Sequence, residues 1–86
     1  MKYVTMRNDA TGKETIYLFD KSINHDLMAQ TLHVTKIGDS HNWERAFQSP
    51  VSAGFVDHTW TCHGRSESLN LNSRDEDTAI LASQLS

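Results

Sequence analysis

One cysteine and one proline are all this 86-residue chain contains of either. A single cysteine excludes an intramolecular disulfide framework. No run approaches the roughly 20 consecutive apolar residues that span a bilayer, and the opening MKYVTMRND lacks the apolar core of a signal peptide. From these absences we expect a soluble protein of a reducing, cytoplasmic compartment with no membrane partner. Basic runs are missing too. The eight Lys and Arg residues stand singly from Lys2 to Arg74 in a chain of net charge −3, which argues against a nucleic-acid backbone as partner.

Present instead is a globular balance, 37% apolar and 22% charged residues, in a length that makes one domain over 1–86. A domain this small buries only about 60–65% of its unfolded surface. Its core is thin, and a shallow cleft or an exposed face is the expected working surface.

Residues 50–72, PVSAGFVDHTWTCHGRSESLNLN, carry the densest strand-like alternation. Val51, Ala53 and Phe55 share one face of an extended chain. Asp57 and His58 interrupt, 59–63 resumes with β-branched and aromatic residues, and Leu69 and Leu71 alternate with polar neighbours. This reads as a three-stranded antiparallel meander, with Gly64 at a bulge or corner.

Around it, 2–6 forms a first strand, RNDATG a turn in which Gly12 takes the φ > 0 position, and 13–19 its hairpin partner. Both faces of that partner carry apolar groups, so we expect a central strand. A helix over 24–32 would place Ile23, Leu27 and Thr31 on one row and Met28 and Leu32 on the next. A short strand over 33–37, a loop over 38–42 and a strand over 43–47 follow. Pro50 marks a strand start or an edge. Ser73 and Glu76 have the spacing of a capping box that opens a terminal helix. The expected fold is α+β: an antiparallel sheet of five to six strands, one helix packed across a face, and a short C-terminal helix at the edge.

The candidate chemistry is sparse. Cys62 beside His63 invites a nucleophile reading, but on a strand the two side chains point to opposite faces. Gly64-Arg65-Ser66-Glu67-Ser68 lacks the second glycine of a nucleophile elbow and precedes a strand rather than a helix. No catalytic residue is assigned and no cofactor is expected. The alternative is a small metal- or ligand-binding protein using His41, His58, His63 and Cys62, although their spacing matches no familiar ligand pair. The better candidates are contact residues. Trp43 and Trp60 are large amphipathic anchors, Arg65 is a charge at a corner, and Asp75, Glu76 and Asp77 are acidic residues at a helix start.

The segments SAGFV over 52–56, GRSESL over 64–69 and SRDEDT over 73–78 resemble small uncharacterised bacteriophage and prophage proteins. The resemblance implies a bacterial or phage cytoplasmic origin and assigns no activity. The expectation is a non-enzymatic accessory or regulatory protein that binds another protein, in that setting a host bacterial protein, through an exposed sheet face or edge. Strand addition at an edge would also allow a homodimer.

Overall fold

A computed structural model describes residues 1–38 and 43–86, with backbone alone over 35–38 and at 43 and 44. The chain is α+β. Strands β1 (Lys2–Asn8) and β2 (Glu14–Phe19) form a hairpin, helix α1 (His25–Leu32) follows, and β3 (Val34–Gly38) leads to the 14-residue β4 (Trp43–Val56). Three two-residue strands come next, β5 (Cys62–His63), β6 (Arg65–Ser66) and β7 (Leu71–Asn72), and helix α2 (Asp75–Leu85) ends the chain.

The main sheet is antiparallel in the order β2-β1-β4-β3, with β5 added to the end of β4 and β6–β7 forming a separate ribbon. Four long strands and the two-residue β5 make up the main sheet, where five to six strands were expected. The expected central strand, β2, is an outer one. Both its faces are covered, as its apolar residues demand, but its outer backbone edge is met by α2.

The β1–β2 turn follows from side-chain chemistry. Asn8 Oδ1 accepts from the amides of Ala10 and Thr11 (2.9 and 3.0 Å), and Gly12 supplies φ +76°. Pro50 does not start a strand, since β4 runs through it, but it stands where β4 has no β3 or β5 neighbour and is a local edge. The chain tolerates this because β3 stops pairing at Phe47 and because the β1–β4 register slips by one between Thr5 and Met6.

The alternation of β1 builds two cores. Val4 and Met6 pack with Phe19, Ala53 and Ala29 of α1. Tyr3 packs on the other face with Ile16, Val56, Cys62 and Leu81 of α2. Helix α1 has eight residues and no side-chain cap at Asn24, so it stands through packing rather than propensity. It turns Ala29, Met28 and Leu32 inward and leaves Leu27 55% exposed. The expected row of Ile23, Leu27 and Thr31 therefore faces out; small Ala29 permits the closer approach to the sheet.

Helix α2 begins one residue later than its capping box suggests. Arg74 is the N-cap, and Asp77 rather than Glu76 accepts the Arg74 amide (Asp77 Oδ2, 3.0 Å). The helix crosses the second face and only its last turn reaches the edge. There Gln84 accepts from the Ile16 amide (2.6 Å) and donates to the Ile16 carbonyl (3.0 Å), filling the place a further strand would take.

Candidate functional site

The expected meander over 50–72 breaks at Asp57. Its Oδ1 accepts three hydrogen bonds, from the Thr59 amide (2.9 Å), the Thr59 hydroxyl (2.6 Å) and the Thr61 amide (3.1 Å). The Trp60 amide donates to the Asp57 carbonyl (3.0 Å), and the Asp57 amide to the Thr61 carbonyl (3.2 Å). Residues 59–61 are thus a turn rather than a strand, despite their β-branched and aromatic composition, because one carboxylate gathers the local donors. The Thr59 hydroxyl above all, and then the Thr61 amide, hold the Asp57 carboxyl below the usual carboxylate range.

Trp60 sits on this turn with φ +63° and 47% of its surface exposed. A bulky side chain in the left-handed region is strained by about 1–2 kcal/mol. Nothing in the core requires it, since the indole is not packed inside. The arrangement holds a large amphipathic ring out in solvent on a backbone that is already fixed. Such a backbone leaves little conformational entropy to lose on contact.

The remaining expected contact residues that are described do not gather around it. Trp43's side chain and all of His41 lie outside the described residues. Arg65 is exposed on β6, where Nη2 donates to Asn70 Oδ1 (2.8 Å). Asp75 and Glu76 are exposed at the start of α2. Asp77 is not a contact residue. It is fully buried, accepting from the Tyr3 hydroxyl (2.6 Å) and from Arg74 Nε and Nη2 (3.0 and 2.8 Å).

Among the described residues, the metal-binding alternative of His41, His58, His63 and Cys62 finds no constellation, and His41 lies outside them. Cys62 is buried in the second core, while His63 lies outside, stacked on Phe55 with ring centroids 6.3 Å apart. Burial pushes the Cys62 thiol up, away from the reactive thiolate. His58 is exposed on the Asp57 turn. Among the described residues, no three His, Cys, Asp or Glu side chains lie together so as to hold a metal ion.

The sequence did carry a signal for the turn. An aspartate two residues before a threonine is an Asx-turn former, and it outweighs the strand preference of Thr-Trp-Thr. Nothing marked Trp60 for a positive φ. No helix among the described residues is long and apolar enough to cross a membrane. Comparison with protein-family models, curated proteins and solved structures finds no match to this chain.

Proposed function

We propose that this chain is a non-enzymatic binding protein whose contact with a protein partner is anchored by Trp60. The observation that carries the reading is a half-exposed tryptophan at φ +63° on a turn that Asp57 fixes. Strain of this kind tends to persist where a function uses it. A partner of matching chemistry offers an apolar pocket with a hydrogen-bond acceptor at its base, to take the indole ring and its N–H. Binding through the β2 edge is disfavoured, since Gln84 already holds Ile16's backbone groups. The contact therefore centres on the β4–β5 turn rather than on strand addition there. The proposal of phage-type origin and a host bacterial partner rests on the resemblance of the quoted segments alone.

The test compares wild type with Trp60→Gly in capture from bacterial lysate. Glycine accepts the left-handed backbone freely, so the variant keeps the turn and loses the ring. A protein recovered by wild type and lost with Trp60→Gly supports the reading. Identical recovery by both, or nothing above background from either, overturns it.

A further inference from the structure

A second feature, independent of Trp60, lies between the start of α1 and the β6–β7 ribbon. It is a cleft of about 470 Å³, lined by Lys2, His25, Phe55, Arg65, Ser66 and Ser68, with Asp26 and Glu67 also bordering it. The volume is that of small-molecule sites, which run to several hundred Å³.

His25 is the informative residue. It is 4% exposed, and its ring is clamped edge-on by Phe19 and Phe55 at centroid distances of 5.4 and 5.7 Å. Its Nε2 lies 2.9 Å from the Gly54 carbonyl. A carbonyl only accepts, so Nε2 carries the hydrogen and donates. Nδ1 makes no hydrogen bond within the described residues, although the side chain is almost wholly buried and borders the cleft. Nδ1 is therefore open to a bonding partner that enters the cleft. Gly54 helps to shape the place, because a Cβ there would collide with the His63 carbonyl.

The other groups are donors with capacity to spare. Lys2 Nζ gives one hydrogen to the Ile23 carbonyl (2.8 Å) and keeps two; Arg65 gives one to Asn70 and keeps four. Ser68 Oγ accepts from the Asp26 amide (3.2 Å) and lies 3.3 Å from Ser66 Oγ, so its own hydrogen is free for a ligand where Ser66 is the donor of that pair. The N-terminus of α1 adds its partial positive charge. Two cations and a hydroxyl donate to anionic oxygens, whereas Nδ1, where it carries no hydrogen, accepts from a donor.

We propose that this cleft binds the phosphoryl group of a small phosphorylated molecule. A protonated phosphoryl group presents both halves of that demand: its O–H donates to His25 Nδ1, and its charged oxygens accept from Lys2, Arg65 and Ser68. A carboxylate offers acceptors only. Phe55 provides an apolar wall for the organic body of the ligand, and Asp26 and Glu67 set an acidic border that disfavours a second negative group.

The test titrates the full chain with inorganic phosphate, phenyl phosphate and benzoate at constant ionic strength, followed by amide chemical shifts. We expect saturable shifts at Lys2, His25, Asp26 and 65–68, with phenyl phosphate binding several-fold tighter than inorganic phosphate and benzoate weakest. Arg65→Ala and Lys2→Ala each weaken phenyl phosphate by about tenfold, the usual loss of a charge-assisted hydrogen bond. Glu67→Gln touches no donor and tightens it by about twofold, as removal of an exposed like charge should. Absence of saturation up to about 50 mM, weaker than specific ligands bind, overturns the proposal. So does benzoate matching phenyl phosphate, or binding unchanged by Arg65→Ala in a variant whose spectrum remains that of the folded chain.

Discussion

Tyr3 and Val4 are neighbours in β1, yet they open onto differently built halves of the molecule. Val4 enters a core of Met6, Phe19, Ala29 and Ala53, closed by α1 through apolar contact. Tyr3 enters a core that α2 covers with Leu81, but α2 is also fastened by charge. Asp77, fully buried, takes the Tyr3 hydroxyl, the Arg74 guanidinium and the Arg74 amide, and Arg74 Nη2 reaches on to Glu14 Oε1 at 2.7 Å. Arg7 closes the chain of charges on Glu14 Oε2 at 2.8 Å. Burial, and then the hydrogen bond to Asp77, push the Tyr3 hydroxyl above its ordinary range, so it remains a donor throughout. The difference teaches how a thin domain holds two helices. One is pressed on by the hydrophobic effect, which is non-directional, and the other is fixed in orientation by bonds that are not.

The sharpest way to break the contrast is Asp77→Ala. It strands the Tyr3 hydroxyl and leaves Arg74 with Glu14 and the exposed, more distant Glu76, and loss of one partner from a buried pair costs about 3–5 kcal/mol. Domains of this length have roughly 4–13 kcal/mol in total, so α2 should come off the sheet or the whole fold should melt far earlier. Met6→Ala on the opposite face removes only apolar contact, at about 2–5 kcal/mol. Denaturant midpoints of the two variants, with amide exchange across α2, decide the matter. If Asp77→Ala proves the milder change and α2 stays protected, the charged network does not hold the helix.

How much of this was legible follows the same division. The apolar face could be read from alternation, since Val4 and Met6, Tyr17 and Phe19 fall on one side of their strands by parity alone. Helix α1 was legible to within a residue, and its Met28–Leu32 row is inward as expected; the row of Ile23, Leu27 and Thr31 is not, because Ala29 is inward for its size rather than its hydrophobicity. On the polar face, the expected Ser73–Glu76 box named the right helix but the wrong pair. What moved it was Tyr3, 74 residues from Asp77, whose hydroxyl no local pattern could bring there. Gln84 on Ile16 is equally non-local. The two Asx turns make the same point for the candidate site. Asn8 announced its turn with a glycine at the positive-φ position, whereas Asp57 has Trp60 there, so composition spoke for a strand.

Acid should separate the two faces more gently. The Arg74 hydrogen bonds above all, and then those of Arg7, hold the Glu14 carboxyl below its ordinary value. Its folded-state pKa is depressed, so its contribution is complete above the unfolded value of about 4.3 and is lost as pH falls through the folded-state value. Melting temperature in wild type should therefore fall more steeply below about pH 4 than in Glu14→Gln, which begins lower and changes less. Parallel curves for the two would show that the pairs at Glu14 add nothing to stability.

The smallest effect tests whether every polar group on the second face is needed. Thr5 and Ser52 are cross-strand partners, both fully buried, and their hydroxyls have no hydrogen-bond partner among the described residues. They resemble the Asp77 network in polarity but not in function, because an unpaired buried hydroxyl carries a desolvation cost of about 1–3 kcal/mol with no bond to offset it. Thr5→Val keeps the shape, and Ser52→Ala removes one oxygen beside it. The double variant should be neutral or raise stability by up to about 1 kcal/mol, read as an unchanged or higher denaturant midpoint at constant slope. A loss of more than about 1 kcal/mol would show that these hydroxyls are bonded in solution. The second face would then rely on polar bonds at Thr5 and Ser52 as well as where Asp77 fastens the helix.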